Sequence, residues 1–492
     1  MTRDRLLLVI VGLGVLLRGL YLLTPFLDSD RAVVGLMARH ILQGELPVFF
    51  WGQPYGGTLE AHLAAVLFYL FGASRLTLAL SPFLFSLAFL ALTYRLGCEL
   101  FDRATGRVAL LLVAVAPPTL VSHSVTTWGH YISHLALGSL VLLLAFRTAR
   151  APDPPRRLLF VLGFAAGLAW YNSPQSVHYL VAAGLFVLLQ RPRLLARPEP
   201  WLVVPAFGLG SLPLWLYNLG APAVSTFGAV SARGSRGDLG DSLTRFFVDK
   251  VPDLLGASVE RAGPGLVLGV GVLALHALAL GHLLRRIRLP GSRLLLLLLV
   301  VTSVIVVVGY NRGSATRYLL PLYSAVPIMV AAFVETLRRR SAPAFAVALG
   351  CLLAANLAAN VAAADVFDER KLALYLGRQA RDARLVEFLR RDGLTRVYVL
   401  DFWDSYRLTF EAGEQVVFAE PRPSYYAPYT RMVDAAPRYG YVIRRAAEAR
   451  IFDESLRSLG GAFRRREVLG YSVFEGFQTA AGSRMGGVAD LG

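Results

Sequence analysis

Two aspartates, Asp28 and Asp30, stand in the stretch LDSDRAVVGLMARHILQGELP, just past the first apolar segment. A carboxylate within reach of a hydroxyl can take its proton, and an acid before a helix can also cap it. A second polar set follows in FFWGQPYGGTLEAH, where Gln53, Tyr55, Glu60 and His62 lie among Phe49, Phe50 and Trp51. A third set is SHSVTTWGHYISH, with His123, His130 and His134. His130 and His134 are four apart and share a helix face, a spacing that admits a divalent metal or lines a polar groove. The cations suited to a phosphate are Arg312 and Arg317 in YNRGSATRYLLPLY, with Tyr318 beside them. Arginine stays charged and can grip two phosphate oxygens at once.

The elements that must position these groups are membrane helices. The chain has 492 residues, is 55% hydrophobic and has a mean hydropathy of +0.53. Many windows hold about 20 apolar residues, the length that crosses a bilayer core. The net charge of +17 does not point to nucleic acid, because the arginines cluster in short loops between apolar segments. Lysine occurs only at Lys250 and Lys371, and Cys98 and Cys351 form no disulfide framework. No small-residue cleavage site follows residues 6–23, so that segment reads as an uncleaved first span.

Apolar windows place spans at 6–26, 76–97, 108–126, 130–147, 158–173, 175–190, 201–218, 264–284, 294–311, 318–337 and 342–363. With the N-terminus inside, every even-numbered span ends at an arginine-rich loop, as the positive-inside rule requires. The segment 58–71, about 14 residues, is too short to span and reads as interfacial or re-entrant. The expectation is a polytopic α-helical protein of about 11 transmembrane helices in a cytoplasmic (inner) membrane. Its N-terminus is cytoplasmic and its first outer loop, 27–75, carries juxtamembrane helices. A further outer loop, 219–263, holds Asp238, Asp241, Asp249, Lys250, Asp253 and Glu260, read as solvated charges. Residues 364–477 read as a small extracytoplasmic α/β or α+β domain, with a helix over 369–391 and strands near 396–401, 415–419, 439–443 and 471–477. Residues 478–492 read as a disordered tail.

Within the first outer loop, Val33, Val34, Leu36, Met37, Ile41 and Leu42 recur at helical spacing, interrupted by Arg31, Arg39 and His40. That pattern predicts an amphipathic helix on the membrane surface, stopped by Gly44 and capped by Asp28 or Ser29. Arg39, His40 and Arg75 are further outer cations of this loop.

The whole run from LDSDRAVVGLMARH through QPYGGTLEAHLAAVLFYLF to the basic turn at TYRLGCELF resembles the N-terminal module of GT-C glycosyltransferases. It is most similar to the group of protein O-mannosyltransferases and lipid A aminoarabinose transferase. RYLLPLYSAVPIM at 317–329 resembles a late span of that group, and the tail is loosely similar to its soluble periplasmic domain. The resemblance implies a GT-C-like fold and a sugar donor carried on a polyprenyl phosphate at the outer face. It implies an acceptor hydroxyl on a glycan, lipid or protein, and a carboxylate as general base. The group has an Asp-Glu pair at the start of its first juxtamembrane helix. Here Asp30 matches the Asp, Arg31 stands where Glu would be, and Asp28 offers the second carboxylate. By the same resemblance Arg317, Arg312 and Tyr318 would hold the donor phosphate. His40, Gln53, Tyr55, Glu60, His62, His130 and His134 would line the substrate groove. The resemblance assigns no definite cofactor and leaves a divalent metal open. The competing readings are a transporter or flippase, a ligase or oligosaccharide transferase on a polyprenyl-linked glycan, and a scaffold. Acids gathered at one surface, rather than inside the spans, disfavour transport.

Overall fold

The structure is a computed structural model that describes residues 3–23, 26–220, 238–257, 264–309, 316–422, 425–460 and 462–478. Arg312 and Glu260 lie outside the described residues, as does all of the expected disordered tail except Gln478.

The helices of the apolar part are α1 Arg3–Leu22, α2 Ser29–Leu42, α3 Leu59–Phe71, α4 Arg75–Leu100, α5 Arg103–Ala114, α6 Pro118–His123, α7 Tyr131–Arg150, α8 Arg156–Asn172, α9 Val177–Gln190, α10 Val203–Gly210, α11 Leu212–Gly220, α12 Pro264–Arg285, α13 Pro290–Gly309, α14 Val326–Arg340 and α15 Ala342–Ala363. Among the described residues six (α1, α4, α7, α12, α13 and α15) are long and apolar enough to cross a membrane. Two bent pairs raise that number to eight: Glu199–Gly210 with α11, at 59°, and Thr316–Ser324 with α14, at 47°. The other three expected spans fall on α8, on α9 and on the broken run of α5 and α6. The 58–71 segment is the 13-residue helix α3, as its length predicts.

Proline accounts for the breaks. Pro117 and Pro118 separate α5 from α6, Pro213 lies in the first turn of α11, and Pro321 sits in the Thr316–Ser324 turn. A broken helix inside lipid frees carbonyls that must find donors. Asn356 and Asn360 of α15 each donate at 2.8 Å to Val115 and Ala116 carbonyls, and the buried Arg18 donates at 3.2 Å to those of Val113 and Ala114.

The C-terminal part continues with α16 Glu369–Arg391, β1 Arg396–Tyr398, α17 Phe402–Glu411, β2 Val417–Ala419, α18 Ala427–Asp434, β3 Gly440–Ile443, α19 Ala446–Ser458, β4 Ala462–Val468 and β5 Tyr471–Gln478. The sheet order is β2-β1-β3-β5-β4. The first three strands are parallel, joined through α17 and α18; α19 leads from β3 to β4, and β4 and β5 form an antiparallel hairpin. β4 is missing from the sequence reading because AFRRREV carries Arg464, Arg465 and Arg466, and charge on an edge strand hides the apolar alternation.

The helix α2 departs from expectation. Its apolar residues and Ser29 and His40 are nearly all buried. It lies between α3 and the C-terminal domain, in one core that joins Val33, Leu36 and Met37 to Ala64, Phe68, Tyr406 and Phe410. The polar side of the amphipathic pattern therefore faces protein, not water. Gly35 makes the approach feasible, since a Cβ there would sit 2.5 Å from the Phe410 ring.

Candidate functional site

The two aspartates have separate surroundings. Asp28 is the N-cap of α2, accepting from the Arg31 backbone N–H at 2.9 Å. Its other oxygen accepts from Trp128 Nε1 at 3.2 Å and faces Arg31 Nε at 3.6 Å. Both oxygens of Asp28 are thus engaged. Asp30, in the first turn, accepts one hydrogen bond from the Tyr425 hydroxyl at 3.3 Å. Burial and the neighbouring Asp28 charge push the Asp30 carboxyl up, against the pull of Tyr425 and of Arg317. A half-buried carboxylate whose pKa is raised is a stronger proton acceptor than a free one when ionised.

Arg31 faces away from this chemistry. Its guanidinium donates to the Phe26 carbonyl and to Thr126 Oγ1, and lies 5.2 and 5.3 Å from the Phe26 and Trp128 rings. It also lines a cavity of about 190 Å³ with Tyr21, Arg75, Thr126 and Asp365. At the position of the expected second acid, this chain has a cation that ties Asp28 down, while Asp30 is met by the Tyr425 hydroxyl.

Arg317 stands at the start of the Thr316–Ser324 turn, its guanidinium carbon 5.7 Å from the Tyr131 ring and 5.5 Å from the Tyr318 ring. Its Nε is buried without a hydrogen-bond acceptor among the described residues. Next to it Thr316 donates to Asp253, which the sequence reading had placed among the solvated charges. Asp238 and Asp241 keep local roles, as a helix cap and as the partner of Arg245 at 3.0 Å.

Gln53 joins the Asp30 group: its Nε2 donates to the Tyr425 hydroxyl at 3.2 Å. Tyr55 is half-buried in the same turn, its N–H donating to the Gln53 carbonyl. The remaining polar residues divide. His62 Nδ1 is bonded to the Thr58 carbonyl at 2.9 Å, a local helix contact. Glu60 is 1% exposed and accepts from Ser133 at 3.1 Å; burial pushes its carboxyl up to about 7. His130 packs under Gly56, and His134 lies deeper, 3.3 Å from Ser176 Oγ. Both are buried, so neither they nor Glu60 line an open groove. Among the described residues no three His, Cys, Asp or Glu side chains converge as a metal site would require, and His130 with His134 gains no third ligand.

The first-loop cations are taken up by the C-terminal domain. Arg39 donates to the Phe410 carbonyl at 3.0 Å, and Arg75 pairs with Glu411 at 2.6 Å. His40 meets Glu414 at 2.8 Å through Nε2 and Glu45 at 3.0 Å through Nδ1. Burial pulls its imidazole down, but the two carboxylates outweigh that and raise it. The domain also brings Tyr425, wedged among Phe50, Phe402 and Tyr406. Tyr425 is the residue that sequence reasoning missed. Its only signal is three tyrosines within the short run YYAPY.

Comparison with known proteins bears on this arrangement. The profile of the family described as dolichyl-phosphate-mannose-protein mannosyltransferase matches residues 57–217, about a third of the chain. No curated protein matches by sequence. Among solved structures, ArnT from Cupriavidus metallidurans bound to undecaprenyl phosphate superposes with a TM-score of 0.70 at 12% identity, over 96% of this chain and 98% of that one. This is a GT-C fold. The apo state of that ArnT gives 0.66 at 11% identity over 99% and 100%. The Archaeoglobus fulgidus oligosaccharyltransferase, in complex with Zn and sulfate, gives 0.54 at 12% over 96% and 72%. The GT-C fold therefore runs through both the apolar helices and the C-terminal sheet domain of this chain.

Proposed function

We propose that the chain is a membrane glycosyltransferase that moves a sugar from a polyprenyl-phosphate donor to an acceptor hydroxyl at the outer membrane face, with Asp30 as general base. The observation that carries the reading is the setting of Asp30. It is a raised, half-buried carboxyl that answers to one hydroxyl and to the field of Arg317, in a GT-C fold. In the proposed step the acceptor oxygen bonds to the anomeric carbon while the bond to the lipid phosphate breaks. Asp30 takes the acceptor proton, and the phosphate leaves with its charge met by Arg317. The inward N-terminus, the eleven spans and the division into 1–363 and 364–477 are part of the same proposal. So is a place in the cytoplasmic membrane of a cell that keeps its acceptor outside. The undecaprenyl phosphate of the ArnT structure supports the choice of donor class.

The test uses purified full-length protein with polyprenyl-phosphate sugars, following release of the lipid phosphate. Asp30→Asn should lose about 10²–10⁴-fold in turnover. Asp28→Asn should retain turnover and, because Asn caps a helix about as well as Asp, keep the helix start intact. Full activity in both variants sinks the assignment.

A further inference from the structure

At the end of the helices away from Asp30, the C-termini of α4, α7 and α14 and the link from α12 to α13 enclose a second cavity, about 360 Å³ in volume. That volume is within the roughly 300–1,000 Å³ of small-ligand sites. Three arginines line it, Arg150, Arg286 and Arg339, against two acids, Asp102 and Glu335. Both acids are already answered. Asp102 accepts from Thr105 N–H and from Arg339 at 2.8 Å, and Glu335 accepts from Arg338 at 2.7 Å. Among the described residues Arg150 and Arg286 have no carboxylate within 4.0 Å; Arg150 rests only over the Phe146 ring, at 5.6 Å. Two exposed cations thus line a space whose two acids are each paired with another arginine.

We propose that this pocket binds the phosphate headgroup of an anionic phospholipid. The geometry favours a lipid over a soluble anion. The pocket lies where the arginine-rich loops meet the apolar helices, the level at which a headgroup rests. Its wall includes Leu100, Phe101, Phe146 and Leu289. From it an apolar surface continues outward, with Leu280, Leu284, Ile287 and Leu289 all more than a third exposed. Acyl chains would lie along that face while Arg150 and Arg286 take phosphate oxygens. Bound there, one lipid would fasten the ends of α4, α7, α13 and α14 together. The inference rests on the chain spanning a membrane and not on the transferase reading.

The experiment is thermal unfolding of the full-length protein in neutral phosphatidylcholine discs, with and without phosphatidylglycerol. Phosphatidylglycerol should raise the Tm of the wild type. The double variant Arg150→Gln, Arg286→Gln should unfold like wild type in neutral lipid and lose most of that rise. A control with the same charge loss, Arg156→Gln, Arg157→Gln, uses two exposed arginines outside the pocket and should keep it. Equal rises in all three proteins would overturn the proposal, because they report surface attraction alone. A rise reproduced in full by inorganic phosphate in neutral discs would overturn the lipid assignment. Should the double Gln variant be unstable in neutral lipid, Arg150→Lys, Arg286→Lys decides: it retains the charge and should keep part of the rise, and losing none of it counts against a two-pronged grip.

Discussion

The Tyr425 hydroxyl donates to Asp30 Oδ1 at 3.3 Å across 395 residues of chain, so the C-terminal domain supplies a direct partner of the candidate base. The bond stabilises the ionised carboxylate, and Asp30 can accept a proton only when ionised. Tyr425→Phe should therefore raise the Asp30 pKa beyond its already raised position. The acid limb of kcat/KM moves to higher pH, activity falls at low pH, and it recovers on the alkaline side. Asp28→Asn removes a like charge and should move the same limb down. A pH profile of both variants checks this; Tyr425→Phe shifting the limb downward would contradict it.

His40 and Glu414 should make docking of the C-terminal domain dependent on pH. The folded His40 pKa is raised, so its contribution is full below the ordinary 6.5 and lost as pH rises through the folded value. Burial opposes the Glu414 charge, yet hydrogen bonds from His40 and Tyr429 leave its pKa lowered. Its contribution is full above the ordinary 4.5 and lost as pH falls through the folded value. Both act together between about 4.5 and 6.5. The groups facing His40 are Glu45, Glu414, Tyr426 and Tyr429, with Arg39 one residue away on the same helix. Protection of residues 396–478 from hydrogen exchange, corrected for the intrinsic pH dependence of amide exchange, should be greatest in that window and fall on either side. In His40→Gln the alkaline fall in corrected protection should disappear.

Arg407 is buried in the C-terminal domain between Asp382 and Asp404, the latter at 2.7 Å. Tyr471 donates to Asp382 at 2.6 Å, and Arg378 and Arg444 reach Asp404 at 3.0 Å. Removing the central cation leaves Asp382 with only the Tyr471 hydroxyl among the described residues, while Asp404 keeps Arg378 and Arg444, and breaking a buried pair costs about 3–5 kcal/mol. Arg407→Ala should lower the unfolding free energy of the full-length protein by about that amount, read as a lower unfolding midpoint. Because α17 carries both Arg407 and Phe410, activity should fall with it. A Tm equal to wild type would refute the cost.

What was legible in the sequence followed from repetition and charge. Apolar runs and arginine loops marked the helical segments of the apolar part, and Glu369–Arg391 was plain from its periodicity, while α17, α18 and α19 went unread. The breaks were written in Pro117, Pro118 and Pro321, but proline does not reveal which donors rescue the freed carbonyls; Asn356 and Asn360 had no local reason to be noticed. Asp30 was visible because acids are rare near spans. Tyr425 was not, because its meaning comes from a contact across 395 residues. His40 and Arg75 read as outer cations for a substrate, while the structure commits them to Glu414 and Glu411. Single residues show their charge, and only the docked domain shows where that charge is spent.

Gly57 should tolerate no side chain, and its replacement should damage the site while the helices remain. A Cβ at this position would lie 2.7 Å from Asn172 Cα and 2.8 Å from the Tyr171 carbonyl, both backbone atoms at the end of α8. Neither can rotate aside. The Gly57 N–H also donates to the Asn172 carbonyl at 3.0 Å, which pins the turn to α8. The same turn carries Gln53, whose amide holds the Tyr425 hydroxyl against Asp30. Gly57→Ala must push the turn away from α8 and drag Gln53 with it. A small displacement of a positioned group can cost about 10²-fold in rate. The expected result is a loss of that order in kcat/KM with a helical circular dichroism spectrum like wild type. Gly12→Ala, at a glycine with open space around its Cβ, should leave activity unchanged. Wild-type kinetics in Gly57→Ala would show that the turn does not position the site.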